Sequence, residues 1–194
     1  GYNNLSDEDL LRAAMRNLTQ KFIDDLKTAG YSDLKFEELL RAASHEINPA
    51  FINEMRSLGF NKLSMDDLIR AKNHDINKKY VDDVKSMGFT NQSLDDLIRF
   101  SNHEITKEYI KSMESVGFTN LSIDELIRLK NREITADFVN GIKAEGFNDI
   151  SADTAIRLKN REIDREYIKR VKAKGLTNLT LDQLFRLRSQ DIVK

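Results

Sequence analysis

The sequence predicts an all-α protein, an α-solenoid (α/α superhelix) of about six and a half two-helix repeats of 29 residues. Three residue types recur at that period. Glycine does so at Gly30, Gly59, Gly88, Gly117, Gly146 and Gly175. Arginine does so at Arg12, Arg41, Arg70, Arg99, Arg128, Arg157 and Arg186. Isoleucine does so at Ile47, Ile76, Ile105, Ile134, Ile163 and Ile192. Such periods are typical of units that must stack, because one unit cannot bury its apolar face alone.

The domain organisation follows from the stacking. Each repeat of such an array touches only its neighbours, so we expect one elongated domain over residues 1–194. Gly1 and Tyr2 align with Gly30 and Tyr31, so the sequence opens halfway through a repeat. We therefore expect it to be a fragment of a longer chain.

The first helix of a repeat is illustrated by the unit that begins at Thr106. Thr106 is a short polar acceptor suited to an N-cap, and Tyr109 and Met113 follow on one helical face. Gly117 predicts the helix end, because glycine accepts the positive φ that is common just past a helix. Phe118 then stands where a Schellman turn places an apolar contact back onto Met113.

The second helix of the same repeat begins after a short turn. Ser122 and Glu125 have the spacing of a capping box, and Leu121 and Leu126 have the spacing of a hydrophobic staple. Ile134 anchors the link to the next repeat. Each predicted helix has about ten residues, fewer than the ~12 to 15 at which isolated helices become marginal in water, so stacking must supply the stability.

Departures from the pattern predict local differences between repeats. Gln92 replaces the staple leucine, Ala155 replaces a larger apolar residue, and Gly141 lies inside a helix, where it costs about 1 kcal/mol relative to alanine. We expect the unit near residues 136–160 to be the weakest. Glu145 and Lys174 replace apolar residues of earlier repeats and suggest a solubilising end cap.

Composition excludes several classes of protein. With 40% apolar and 32% charged residues, the chain is expected to fold. Zero cysteines exclude disulfides and thiolate chemistry, and no apolar run has the roughly 20 residues of a membrane helix. Residues 155–194 carry 11 basic and 5 acidic side chains, so the basic character lies at one end.

The arginine row is the strongest functional candidate, because stacked repeats would display it along one face. Its candidate partner-binding members are Arg41, Arg70, Arg99, Arg128 and Arg157. A structural interpretation competes with that hypothesis, since an acid lies four residues before each arginine, at the spacing of a helical ion pair. Another acid recurs five residues after most of them and could pair across repeats. The sequence favours structural pairing and leaves ligand contact open.

A metal site and enzymatic chemistry are not expected. His45, His74 and His103 share one repeat position, but packed helices lie roughly 8 to 10 Å apart, too far for one zinc ion with bonds of about 2.0 to 2.1 Å. The sequence has no HExxH, Walker, GxGxxG or GxSxG motif. We predict a protein without catalytic activity, metal or cofactor.

Two further sets of residues could bind nucleic acid. The aromatic residues Tyr80, Tyr109, Phe138 and Tyr167 could stack bases, although such a stripe at helical spacing is more typical of a core. A polyanion would bind at the basic end, because unpaired lysine and arginine side chains give salt-sensitive, unspecific phosphate binding. The candidate contacts there are Arg161, Arg165, Lys169, Arg170, Lys172 and Lys174. A solvated helix face is the competing interpretation of that set.

The segment from Gly117 to Arg128, GFTNLSIDELIR, followed by Ile134 to Val139, ITADFV, resembles tandem repeats of bacterial envelope proteins. These include the tails of membrane metallopeptidases of the beta-lactam-sensor type. The resemblance covers the whole chain and implies an extracytoplasmic interaction module in the periplasm or cell envelope. It transfers no catalytic residue, because the peptidase part is absent from this sequence.

The function that the sequence favours is a monomeric, non-enzymatic scaffold that binds a protein or peptide, with a preformed surface that costs little ordering on binding. The second helix of each repeat, with its arginine row, is the expected contact surface. Two alternatives remain open: binding of nucleic acid or another polyanion through the basic end, and a passive structural spacer.

Overall fold

The computed structural model describes residues 4–190, in which thirteen α-helices of nine residues each follow one another without a strand. We call the helices that carry the recurring arginine the arginine helices. They are α1 (Asp7–Met15), α3 (Phe36–Ser44), α5 (Met65–Asn73), α7 (Leu94–Asn102), α9 (Ile123–Asn131), α11 (Ala152–Asn160) and α13 (Leu181–Ser189). The aromatic helices are α2 (Gln20–Thr28), α4 (Pro49–Ser57), α6 (Lys78–Ser86), α8 (Lys107–Ser115), α10 (Ala136–Ala144) and α12 (Arg165–Ala173). The predicted fold class, an all-α helical repeat of the solenoid type, is confirmed. Gly1, Tyr2 and Ile192 lie outside the described residues.

Helix starts follow the predicted caps. The Thr106 hydroxyl accepts the backbone N–H of Tyr109 at 3.2 Å, which starts α8. Ser122 and Glu125 form the reciprocal capping box of α9, with bonds of 3.3 and 2.8 Å. Both predictions are confirmed, and the caps satisfy amide groups that a short helix would otherwise leave without partners.

The aromatic helices end in the predicted Schellman turn. Gly117 has a φ of 92°, and its N–H donates to the carbonyl of Glu114 at 2.9 Å. The N–H of Phe118 donates to the carbonyl of Met113 at 3.0 Å, and both side chains are buried. Glycine and phenylalanine therefore act together, as the sequence predicts.

The arginine helices end in the same turn without glycine, which the sequence did not predict. Glu133 has a φ of 52°, and the N–H of Ile134 donates to the carbonyl of Leu129 at 3.0 Å. Equivalent acids with positive φ are Glu46, Asp75, Glu104 and Glu162. The following isoleucine is buried in each case, which explains why it recurs at the repeat period.

The chain divides into two compact units between Asn102 and His103. Within each unit, a helix of one kind stacks on the next helix of the same kind. In the unit of residues 4–102, α3 contacts α5 and α5 contacts α7. In the unit of residues 103–190, α8 contacts α10, α10 contacts α12, and α9 contacts α11. One apolar cluster joins the helices of that second unit. The single elongated domain stays a prediction.

Gly141 lies where α10 packs against α12 in the second unit. A Cβ atom at this position would lie 3.4 Å from the Cβ of Arg165, an ordinary van der Waals distance, so the packing leaves room for alanine. The helix-propensity penalty of glycine is therefore not offset by any need for a missing side chain. The lower stability expected for residues 136–160 stays a prediction.

Gln92 lies beside a cavity of about 50 Å³ between Phe60, Val84 and Phe89. Its side chain is half-buried and donates to the carbonyl of Thr90 at 3.0 Å. We expect Gln92→Leu to raise the free energy of unfolding by about 0.5 to 1 kcal/mol, because added apolar burial outweighs the lost hydrogen bond. Urea unfolding measures the change. Gln92→Asn, which cannot fill the cavity, is the control, and an equal gain from both variants would contradict the prediction.

Candidate arginine surface

The arginine row lies on the exposed side of the arginine helices, and its guanidinium groups reach the next arginine helix along the chain. Arg12 binds both carboxylate oxygens of Glu37, at 2.7 and 2.6 Å. The same contact joins Arg41 to Asp66, Arg70 to Asp95, and Arg128 to Asp153. Each of these four arginines is thus paired with an acid 25 residues later, in the first turn of the next arginine helix.

These contacts correct the expected ion pairs. Glu37 lies four residues before Arg41, but it binds Arg12, while Arg41 binds Asp66 at 2.7 Å. The reason is the packing of neighbouring arginine helices, which brings the first turn of one helix within reach of the arginine on the helix before it. The expected pairing across repeats of the acid five residues after an arginine is found at Glu162, which binds Arg188 of α13.

A second acid holds several of the arginines from their own helix. Arg12 lies 3.2 Å from Asp9, Arg70 lies 3.3 Å from Asp67, and Arg99 lies 3.7 Å from Asp96. These acids also complete the capping boxes of their helices. The hydrogen bond from the Ser64 hydroxyl is the main cause that holds the pKa of Asp67 below its ordinary value.

The pKa values of the paired groups follow from the pairing between helices. The hydrogen bond from Arg12 lowers the pKa of Glu37, and the bond to Glu37 raises the pKa of Arg12. Both groups therefore stay charged over a wide pH range. The side chains of Arg41 and Arg128 are about half-exposed, so a ligand could still reach them while their orientation is fixed.

Arg157 differs from the other members of the row. Its guanidinium lies over the ring of Phe185, 4.4 Å from the ring centroid, and Arg161 lies over the same ring at 5.5 Å. The positions equivalent to Phe185 in earlier repeats hold leucine or isoleucine, which offer no such ring. The aromatic substitution gives Arg157 a cation–π partner.

His45 and His74 are the C-cap residues of α3 and α5. His103 follows directly after α7. The Nδ1 atom of His103 is 2.9 Å from the side-chain oxygen of Asn131. Within residues 4–190, no group of three histidine, aspartate or glutamate side chains lies close enough to hold a metal ion.

The candidate polyanion residues are largely occupied by contacts within the protein. Glu145 binds Lys172 at 2.8 Å and Arg165 at 3.1 Å. The hydrogen bonds from these two cations lower the pKa of Glu145, and the bond from Lys172 has the larger effect. Lys169 binds Glu166 at 2.8 Å. Arg161 donates to the carbonyl of Phe185 at 3.4 Å, and Arg170 lies over the ring of Tyr167. Lys174 is the exposed C-cap residue of α12. Glu145 thus serves as an anchor between repeats.

The aromatic residues belong to the core or to its margin. Tyr167 is buried, and Tyr109 and Phe138 are partly buried against the apolar cluster of residues 103–190. Burial raises the pKa of Tyr80 to about 12, and its hydroxyl donates to the carbonyl of Leu97 at 3.2 Å. These positions favour the core interpretation over base stacking.

A cation covers most of these rings, a contact that the sequence reasoning missed. Lys130 lies 5.0 Å from the ring centroid of Tyr109, and Lys159 lies 5.4 Å from that of Phe138. Arg188 lies 5.3 Å from the ring centroid of Tyr167. The signal was present in the sequence, because a basic residue recurs 21 positions after the aromatic one.

A groove of about 570 Å³ lies between α10 and α12. Phe138, Gly141 and Ala144 form part of its lining, and Asp137 and Glu166 bring acidic groups to it. The earlier repeats carry aspartate, glutamate or serine at the position of Gly141, so the missing side chain contributes to this groove. Its volume lies within the roughly 300 to 1,000 Å³ range of small-molecule pockets.

No protein-family model matches the chain, and no curated protein and no solved structure matches it either. None of the helices between residues 4 and 190 combines the length and the apolar character that a membrane span requires.

Proposed function

We propose that this chain is a non-enzymatic scaffold that binds a protein or peptide through the exposed face of its arginine helices. The observation that carries the proposal is the repeated ion pair between neighbouring arginine helices, as in Arg41 with Asp66 and Arg128 with Asp153. Within each unit it holds exposed guanidinium groups in fixed orientations. In keeping with the resemblance to envelope repeats, we place this function in the bacterial cell envelope.

Preorganisation is the physical reason to favour binding. A free arginine side chain loses rotamer freedom when it contacts a ligand, and that loss weakens binding. Here the carboxylates already restrict the guanidinium groups, so a partner with carboxylate or carbonyl groups would meet ordered donors. The acids on the same face would meet basic groups of that partner.

A passive spacer is the second candidate, and the same ion pairs support it, because each pair also satisfies both of its charges without a ligand. Binding of a polyanion at the basic end has less support, since Arg165, Lys169 and Lys172 already contact carboxylates.

Capture from a bacterial envelope extract tests the proposal. The row variant carries Arg41→Gln, Arg70→Gln and Arg128→Gln, and the control carries Lys21→Gln, Lys79→Gln and Lys111→Gln, an equal change of charge on the aromatic helices. We expect one envelope protein to be captured by the wild type and the control, and its capture by the row variant to fall about tenfold, equivalent to about 1.4 kcal/mol. Thermal unfolding should change little in either variant, because exposed ion pairs contribute weakly to stability.

Other outcomes would separate the alternatives. Equal loss of capture in both variants would place binding outside the arginine row. Binding to heparin or DNA that disappears with added salt would favour the polyanion function. Failure to capture any protein would favour the spacer if deletion of repeats abolishes the function of the protein in the cell and substitutions on its surface do not.

A further inference from the structure

α1 differs from the other helices described between residues 4 and 190, because it is the one that buries no side chain. Its apolar residues Leu10 and Leu11 are 55% and 61% exposed, and Met15 is also exposed. The helix is otherwise regular, with a complete capping box at Ser6 and Asp9. Its exposed face is therefore part of a well-formed helix.

The same two positions are buried in every other arginine helix that the structure describes. The counterparts of Leu10 are Leu39, Leu68, Leu97, Leu126, Ala155 and Leu184. The counterparts of Leu11 are Leu40, Ile69, Ile98, Ile127, Ile156 and Phe185. All of them are at most 8% exposed, so this pair of positions normally forms an interface.

The environment of α13 identifies what normally covers this face. Leu184 and Phe185 belong to the same apolar cluster as Ile168 and Val171 of α12. Arg157 of α11 lies over the ring of Phe185. The face of an arginine helix is thus covered by the two helices that come before it in the chain. These are an arginine helix and then an aromatic helix, which together form one helix pair of the repeat.

A charged group on α1 points to the same occupant. Glu8 holds the first-turn position at which Glu37 binds Arg12 and Asp66 binds Arg41. Among the described residues, no cation lies within ion-pair distance of Glu8. An arginine helix packed against α1 on its N-terminal side would bring its arginine to this carboxylate. The resulting ion pair would match that of Arg12 with Glu37 and that of Arg41 with Asp66.

We infer that the exposed face of α1 is a docking surface for a helix pair of this same repeat class, an arginine helix followed by an aromatic helix. The aromatic helix covers Leu10 and Leu11, and the arginine of the pair binds Glu8. A second copy of this chain fits less well, because its described aromatic helices already cover arginine helices of their own. This surface lies outside the arginine-row contacts of the proposed function.

A cysteine introduced into this cysteine-free sequence tests the inference. In the unmodified chain, Leu10→Cys should react quickly with a thiol reagent such as DTNB. A copy of residues 64–87 is then joined directly before Gly1, which keeps the 29-residue register. We expect the copy to slow the reaction of Leu10→Cys about tenfold or more, since thiol access then requires local opening. The thermal midpoint should rise as the array gains one stacked pair.

Three controls make the result specific. Leu39→Cys, at a buried counterpart position, should react slowly with and without the added pair, and Lys21→Cys should react quickly in both. An added pair that carries Val81→Asp and Val84→Asp in the copy should give no protection, because both valines are buried in α6. Replacing the arginine of the copy, equivalent to Arg70, with alanine should reduce the protection by less than about fivefold, because an exposed ion pair contributes weakly to stability.

The inference would be overturned in two ways. Unchanged reactivity of Leu10→Cys beside the added pair would show that α1 does not bind it, and so would an added pair that stays unfolded by circular dichroism. Slow reaction in the unmodified chain together with a dimeric mass would show that a second copy covers the face. Neither result depends on capture by the arginine row, so the two proposals fail separately.

Discussion

Replacing Phe100 with alanine should lower the free energy of unfolding by about 3 to 5 kcal/mol. Phe100 is 1% exposed in α7, and its ring centroid is 5.1 Å from that of Phe89, with an angle of 59° between the rings. The substitution removes apolar burial, leaves a cavity and deletes the tilted ring contact. Urea unfolding followed by circular dichroism measures the loss.

Phe100→Leu is the matched control, because the next repeats carry Leu129 and Leu158 at this position. It keeps most of the apolar volume and should cost less than about 1.5 kcal/mol. A loss from Phe100→Ala no greater than that from Phe100→Leu would contradict the assigned packing. In a stacked array the effect should be strongest near α7, so hydrogen exchange should report faster opening of the neighbouring helices than of distant ones.

The helix boundaries could be predicted because the signals for them are local. Ser122 with Glu125 at a start and Gly117 with Phe118 at an end act within one turn of helix, so the residue types alone identify them. The turn at Glu133 has the same hydrogen bonds, yet glutamate is an uncommon residue at positive φ. Only the recurring isoleucine that follows it indicated a turn.

The partners of the arginines could not be predicted, because the repeat makes two answers equivalent in sequence. The acid four residues before Arg41 is also the acid 25 residues after Arg12, since the two distances sum to the period. Helical spacing favours the first pairing, whereas the packing of α1, α3 and α5 produces the second. The contact between Arg157 and Phe185 depends in the same way on how neighbouring helices are aligned.

The sequence also left the exposed face of α1 undetected. Leu10 and Leu11 match the apolar pattern of every other arginine helix, so periodicity alone assigns them to a core. Their exposure depends on what packs before the helix, and a pattern within the helix carries no information about that neighbour.

Gly88→Ala should lower the free energy of unfolding by about 1 to 2 kcal/mol, and the reason is confined to the backbone. Gly88 has a φ of 95°, and a Cβ atom placed there would meet nothing within 4 Å. No steric clash therefore contributes, and the loss measures the strain of an L-residue in the Schellman turn that ends α6. Thermal and urea unfolding should both show that Gly88→Ala is less stable than the wild type.

Glu46→Gly tests the same principle with the opposite sign. Glu46 has a φ of 53° at the end of α3, where glycine relieves strain but adds freedom to the unfolded chain. We expect a net gain of about 0.5 kcal/mol, because the relief exceeds the entropic loss. If Glu46→Gly destabilised the protein as much as Gly88→Ala does, backbone strain could not be what separates the two turns. The glutamate would then stabilise the turn through its side chain, and Glu46→Gln, which keeps the length of that side chain, would show whether its charge is required.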